Sequence, residues 1–209
     1  MRMMRRPPRF ALAAAAVLIA GFAAYFISRA YLAPQPLPPP QAAPVVIPER
    51  RPDIRLADRD GRVRALSEWD GQPLIINFWA TWCAPCRREI PMLNALARDA
   101  AYEQFELIGI AIDFREDVLA YLQQVPIEYT VLIGEQDGMD AARAFGMESI
   151  GLPFTVFTDQ QGRIVTVHVG ELHRPQADLI LSTVQAVDAR EIDLGAARSR
   201  ITEGLAQID

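Results

Sequence analysis

Leu74-Ile75-Ile76-Asn77-Phe78-Trp79 is an apolar run ending just before the chain's only two cysteines, Cys83 and Cys86. The next apolar positions, Ile90, Leu93, Leu96 and Ala97, recur with the spacing of a helix face. A strand too apolar to face water, passing at once into a helix, belongs to a central sheet with helices packed on it, so the chain is expected to be α/β. The junction also constrains chemistry. With a helix beginning near Ala84, the Cys83 sulfur faces unpaired backbone N–H groups and the positive end of the helix dipole, and both stabilise a thiolate. Cys86 lies one helical turn further on, where it can attack a mixed disulfide formed on Cys83.

A Cys-x-x-Cys pair has three readings: thiol-disulfide exchange, half of a four-ligand metal site, or a structural disulfide. Metal needs further ligands, and the sequence offers only His168 and His173, about 80 residues away. A structural disulfide closing over two residues restricts the unfolded chain very little. Exchange is the favoured reading; no metal and no cofactor is expected.

Before Pro34 the chain has five arginines and no acids, and Phe10 to Ile27 is a run of 18 apolar or small residues. As a helix this run is about 27 Å long, near the lower limit for spanning a bilayer and long for a signal-peptide core. The expected order is a basic cytoplasmic tail (residues 1–9) and a transmembrane anchor (residues 10–32), with the remainder outside. The alternative is a signal peptide cleaved after Ser28-Arg29-Ala30. Beyond residue 33 there are 16 arginines, no lysine and 26 acids, a formal balance of −10 that disfavours a nucleic-acid partner. Eight prolines between Pro34 and Pro52 mark residues 33–52 as a linker, either a polyproline II spacer or a disordered stalk.

Residues 53–190 suffice for one domain. Asp58-Arg59-Asp60-Gly61 and Asp159-Gln160-Gln161-Gly162 each separate two short strands and read as hairpin turns. Ser67 is placed as the cap of a short turn through Trp69. Strands are expected at Leu74–Trp79, Phe105–Ile112 and Thr130–Ile133, and helices after Ala84, around Val118–Leu122, over Asp137–Phe145 and from Pro175 to Val187. Pro91 is expected to kink the first of these helices. Residues 191–209 form a tail, with an amphipathic helix over Ile192–Ile208 whose place in the fold the sequence does not give.

The run Asn77-Phe78-Trp79-Ala80-Thr81-Trp82-Cys83-Ala84-Pro85-Cys86-Arg87-Arg88-Glu89-Ile90-Pro91 resembles the active-site signature of the TlpA/ResA-like branch of the thioredoxin superfamily, and Gly151-Leu152-Pro153 with the hairpin after it is similar to that family's second signature. The resemblance covers about residues 53–188 and implies a thioredoxin-like fold: a central mixed sheet flanked by helices, with the first hairpin as an N-terminal extension. It implies that Cys83 and Cys86 are catalytic. It also implies a cis peptide bond at Pro153 facing the dithiol, where an ordinary strand-entry proline would be trans. Thioredoxin has an acid where this chain has Asn77, and the family's glutamate falls on Glu89, expected to exchange protons with the dithiol if it is buried and to be a mere first-turn acid if it is not. Trp82, Ala84, Pro85 and Leu152 are the expected substrate-docking residues. Arg87 and Arg88 are expected either to favour the thiolate or simply to face solvent.

The family resemblance further implies a membrane-anchored periplasmic thiol:disulfide oxidoreductase of the cytochrome c or oxidase biogenesis type. Such a protein reduces disulfides of exported clients and is recharged by a membrane electron donor of the DsbD/CcdA-like kind. Pro85 stands where the strong oxidants of the superfamily have histidine, which agrees with reduction. The alternatives are a general oxidase or isomerase, a copper-handling assembly factor of the Sco-like kind, and a peroxidase of the peroxiredoxin type. The Cys-x-x-Cys spacing disfavours the copper reading.

Overall fold

The computed structural model describes residues 18, 20–29, 46–147 and 151–208. The chain divides into two units, Met1–Pro44 and Val45–Asp209. In the first, residues 20–29 are helical, with Phe22 and Phe26 rings 4.7 Å apart. Among the described residues no helix is long and apolar enough to cross a membrane. The tail at residues 1–9 and most of the anchor and linker expected from the sequence lie outside the described residues.

The second unit is built on a seven-stranded sheet. Its strands are β1 (Arg55–Asp58), β2 (Val63–Ala65), β3 (Leu74–Trp79), β4 (Glu106–Ala111), β5 (Thr130–Ile133), β6 (Phe154–Thr158) and β7 (Ile164–Val169), in the order β2-β1-β5-β4-β3-β6-β7. The sheet is mixed: β3, β4 and β5 are parallel, while β1 on one side and β6 on the other run against them. The helices are α1 (Ala84–Ala97), α2 (Arg115–Gln124), α3 (Gln136–Ala144), α4 (Arg174–Asp188) and α5 (Leu194–Ile208).

The two hairpin turns share one construction. In the first, Asp58 Oδ1 accepts the N–H groups of Asp60 and Arg62, each at 2.9 Å; in the second, Asp159 Oδ1 accepts those of Gln161 at 3.0 Å and Arg163 at 2.8 Å. Gly61 and Gly162 take the positive φ (84° and 71°) that closes each turn and that a side chain would resist.

β3 explains the two-sided core. Leu74, Ile76 and Phe78 point into one apolar cluster, covered by α3 and Trp69, while Ile75 and Trp79 point into the other, beneath α1, α2 and α4. The alternation puts Asn77 on the second face, under α1. Phe78 stacks on Phe154 of the neighbouring strand with ring centroids 4.3 Å apart.

Several local expectations change. The turn at Leu66–Trp69 begins at Ala65 and not at Ser67: Glu68 accepts the Ala65 N–H, while Asp53 accepts that of Ser67. The end of the stretch read as linker packs on the domain, since Glu49 O accepts from Ile164 N and Arg51 N donates to Gly162 O. The C-terminal helix finds its place on α4 and β7: Ala197 and Ile201 are buried, and Arg198 donates to the Ile164 and Val165 carbonyls.

Candidate active site

Cys83 is the N-cap of α1, and its sulfur accepts the Cys86 N–H at 3.3 Å. The two cysteines form a disulfide, with Cα atoms 5.3 Å apart. Cys83 is 5% exposed and Cys86 not at all, so only the first sulfur can meet a partner. This asymmetry follows from helix geometry, because Cys86 lies on the same buried face of α1 as Ile90 and Leu93.

Glu89, on the same face, is 1% exposed. Its Oε1 accepts from Asn77 Nδ2 and its Oε2 from Leu172 N–H, both at 2.8 Å. Burial raises its pKa to about 7, against the opposing effect of the Leu172 and Asn77 hydrogen bonds, with the Glu171 charge adding to the rise. The exposed first-turn acid is thereby excluded. Asn77 also donates to Thr155 Oγ1 at 3.0 Å. The strand register sets this row: Asn77 lies opposite Thr155 on β6 and Gly109 on β4.

The Leu152–Pro153 bond is cis. Pro153 immediately precedes β6, whose Phe154 pairs with Phe78, so the proline sits at the end of the sheet from which β3 runs on to Cys83. Leu152 is half-buried and packs against both core clusters. Trp82 is 69% exposed, Ala84 is exposed and Pro85 half-buried. Trp79 is wholly inside the core. Arg88 reaches away to an ion pair with Glu171, while Arg87 is exposed and its charge acts on Tyr121.

Three contributors were not anticipated from the sequence. Thr155 and the Leu172 N–H meet Asn77 and Glu89 only through the pairing of β6 and the loop before α4, and no local pattern announces either. Asp113, 7% exposed, accepts from Thr81 N–H at 3.0 Å and Thr81 Oγ1 at 2.5 Å. Its position directly after an apolar strand was the available signal.

A model of the family described as "AhpC/TSA family" matches residues 47–167, more than half of the chain. The chain belongs to the AhpC/TSA family. Within it, the chain is similar to the thiol-disulfide oxidoreductase ResA of Geobacillus thermodenitrificans, 25% identical over 68% of this chain and 79% of that one. It is likewise similar to the thioredoxin-like protein YneN of Bacillus subtilis, 27% identical over 62% of this chain and 75% of that one. Among solved structures, the putative thiol:disulfide interchange protein DsbE of Chlorobium tepidum is 28% identical with a TM-score of 0.58, over 69% of this chain and 98% of that one. This member of the AhpC/TSA family is therefore a TlpA/ResA-like thiol:disulfide oxidoreductase of thioredoxin-like fold, with Cys83 and Cys86 as the redox pair.

Proposed function

We propose that the chain is a membrane-anchored reductase of disulfides in exported proteins, of the kind that prepares cysteines for cytochrome c or oxidase biogenesis. The observation that carries the reading is the buried carboxylate of Glu89, held one turn beyond Cys86 with its pKa raised to about 7 by burial. In the reduced protein the Cys83 thiolate attacks one sulfur of a client disulfide. A new S–S bond forms to Cys83, and the other client sulfur leaves as a thiolate that takes up a proton. Cys86 then gives its proton to Glu89 and attacks the Cys83 sulfur, releasing the second client thiolate. The client gains two electrons, and the protein is left with the Cys83–Cys86 disulfide. A membrane dithiol donor of the DsbD/CcdA-like kind restores the pair.

Pro153 and Leu152 line the docking surface opposite Trp82, Ala84 and Pro85. Support for the anchor comes from the 18-residue apolar run behind an arginine-rich start, and support for the direction from Pro85 and the resemblance to reductases. Cys86→Ser in the full chain is expected to accumulate mixed disulfides with exported clients on Cys83; finding none overturns the reading. Glu89→Gln is expected to remove the step near pH 7 from the pH profile of exchange, and an unchanged profile sinks the proton-transfer role. A reduction potential well above about −200 mV contradicts the reductive direction. Carbonate extraction of membranes checks the anchor, since a chain released into the supernatant has none.

A further inference from the structure

Asp113 ties together two loops at the dithiol end of the sheet. Its Oδ2 accepts both the N–H and the hydroxyl of Thr81, in the loop leaving β3, while its Oδ1 accepts the N–H of Phe114, in the loop leaving β4, at 2.9 Å. β3 and β4 are adjacent parallel strands with Trp79 opposite Ala111, so these loops start side by side. Each carries one large aromatic ring into water: Trp82, directly after Thr81, is 69% exposed, and Phe114 is 53% exposed. The backbone beneath both rings is fixed. Cys83 N–H donates to Ala80 O at 3.2 Å, and Phe114 caps α2 by accepting from Val118 N–H at 3.1 Å.

Among the described residues neither ring stacks on another ring or on a cation. The cations that stack on rings among the described residues do so on Trp69 and Tyr102, and the Arg115 guanidinium, next to Phe114, turns away to the Asp58 and Arg59 carbonyls. Two exposed aromatics thus stand on loops joined by one buried carboxylate, and Trp82 directly precedes Cys83, itself only 5% exposed, so apolar surface is offered beside the attacking residue.

We propose that Trp82 and Phe114 form an aromatic jaw, set in place by Asp113, that selects client segments carrying an apolar side chain beside the cysteine attacked by Cys83. Phe114 is the specificity-determining residue this adds, and Asp113 is a positioning residue. The inference rests on the exchange reaction proposed above and names its substrate class: an extended polypeptide with an aromatic or large aliphatic residue flanking the reacting cysteine. An aromatic side chain seated between two rings gains both buried area and ring-ring contact, enough for about a tenfold preference over a charged one.

The test uses the reduced full-length chain and two synthetic peptides with an internal disulfide, identical except for Phe or Asp before the first cysteine. The readout is the ratio of their single-turnover reduction rates. The wild type is expected to favour the Phe peptide about tenfold, Phe114→Ala to lower the ratio to under about threefold, and Phe114→Tyr to restore it to within about twofold of the wild type. Asp113→Asn, which presents an acceptor on one side only, is expected to lower the ratio while leaving both rings in the chain. A wild-type ratio near one, or a Phe114→Ala ratio equal to the wild type's, overturns the jaw while leaving disulfide exchange intact. Reduction of neither peptide overturns the exchange reading and the jaw with it.

Discussion

Glu89 ties the stability of this protein to pH through one buried group. Its folded pKa is raised to about 7 from the ordinary 4.5, because burial penalises the carboxylate more than the Leu172 and Asn77 hydrogen bonds favour it. Below the unfolded value both states are protonated and the group is neutral in the balance. As pH rises from about 4.5, the unfolded chain releases this proton while the folded chain keeps it, so stability falls until the folded group also ionises near 7. A rise of this size corresponds to a loss of about 3 kcal/mol across that window. Urea unfolding of the oxidised wild type between pH 4.5 and 8 is expected to show this decline, and Glu89→Gln to flatten it, leaving the variant more stable than the wild type at pH 8. A Glu89→Gln curve parallel to the wild type's assigns the slope to other groups.

At the scale of elements, β3, β4 and α1 hold the site, and Gly109 sets how closely they pack. A Cβ on Gly109 would lie 2.9 Å from Tyr129 Cε2 and 3.1 Å from Trp79 Nε1, and both rings are buried. Gly109→Ala is expected to cost about 1–3 kcal/mol of stability by overpacking. Gly151→Ala, where no atom of the described residues lies within 4 Å of the added Cβ, is expected to stay within about 0.5 kcal/mol. Thermal and chemical unfolding of the two variants check the contrast, and equal effects would mean the sheet relaxes freely at Gly109. The same elements show what a sequence can and cannot disclose. β3 and α1 were legible because burial on both faces and a helical period leave direct marks on residue order, and each hairpin was legible from its Asp-x-x-Gly turn. The cap of the turn at Leu66–Trp69 was not, because Asp53 reaches Ser67 from 14 residues away. Glu89 could be singled out by its place after the cysteines, but its burial depends on Asn77 and the Leu172 N–H meeting it across 12 and 83 residues of chain. Long-range pairing of this kind follows from topology and leaves no local pattern.

For the folded unit as a whole, the C-terminal helix is the piece whose worth the sequence concealed. α5 buries Ala197 and Ile201 against the rest of the core, and it approaches α4 so closely that a Cβ on Gly204 would lie 2.5 Å from Leu179 Cδ2. Arg198 Nη2 donates to Ile164 O at 2.7 Å, covering part of the outer edge of β7, where the Glu49 carbonyl already receives the Ile164 N–H. β7 is a terminal strand of the sheet, so its free carbonyls are a template for pairing with another chain unless something occupies them. Ending the chain at residue 190 therefore removes two contributions of different kinds. Losing the buried face of α5 is expected to destabilise the domain by about 3–5 kcal/mol, chiefly through Ile201 and the exposed surface of α4. Uncovering the β7 edge is expected to make the truncated protein associate as its concentration rises. Arg198→Ala separates the two effects: it frees the edge carbonyls but keeps the apolar contact, so it is expected to cost about 1 kcal/mol while still promoting association. Urea titration measures the first effect and sedimentation velocity over a concentration series the second. A truncated chain that stays monomeric and loses less than about 1 kcal/mol would show that α5 merely rests on the domain, and that β2, at the other end of the sheet, is the edge that needs protection.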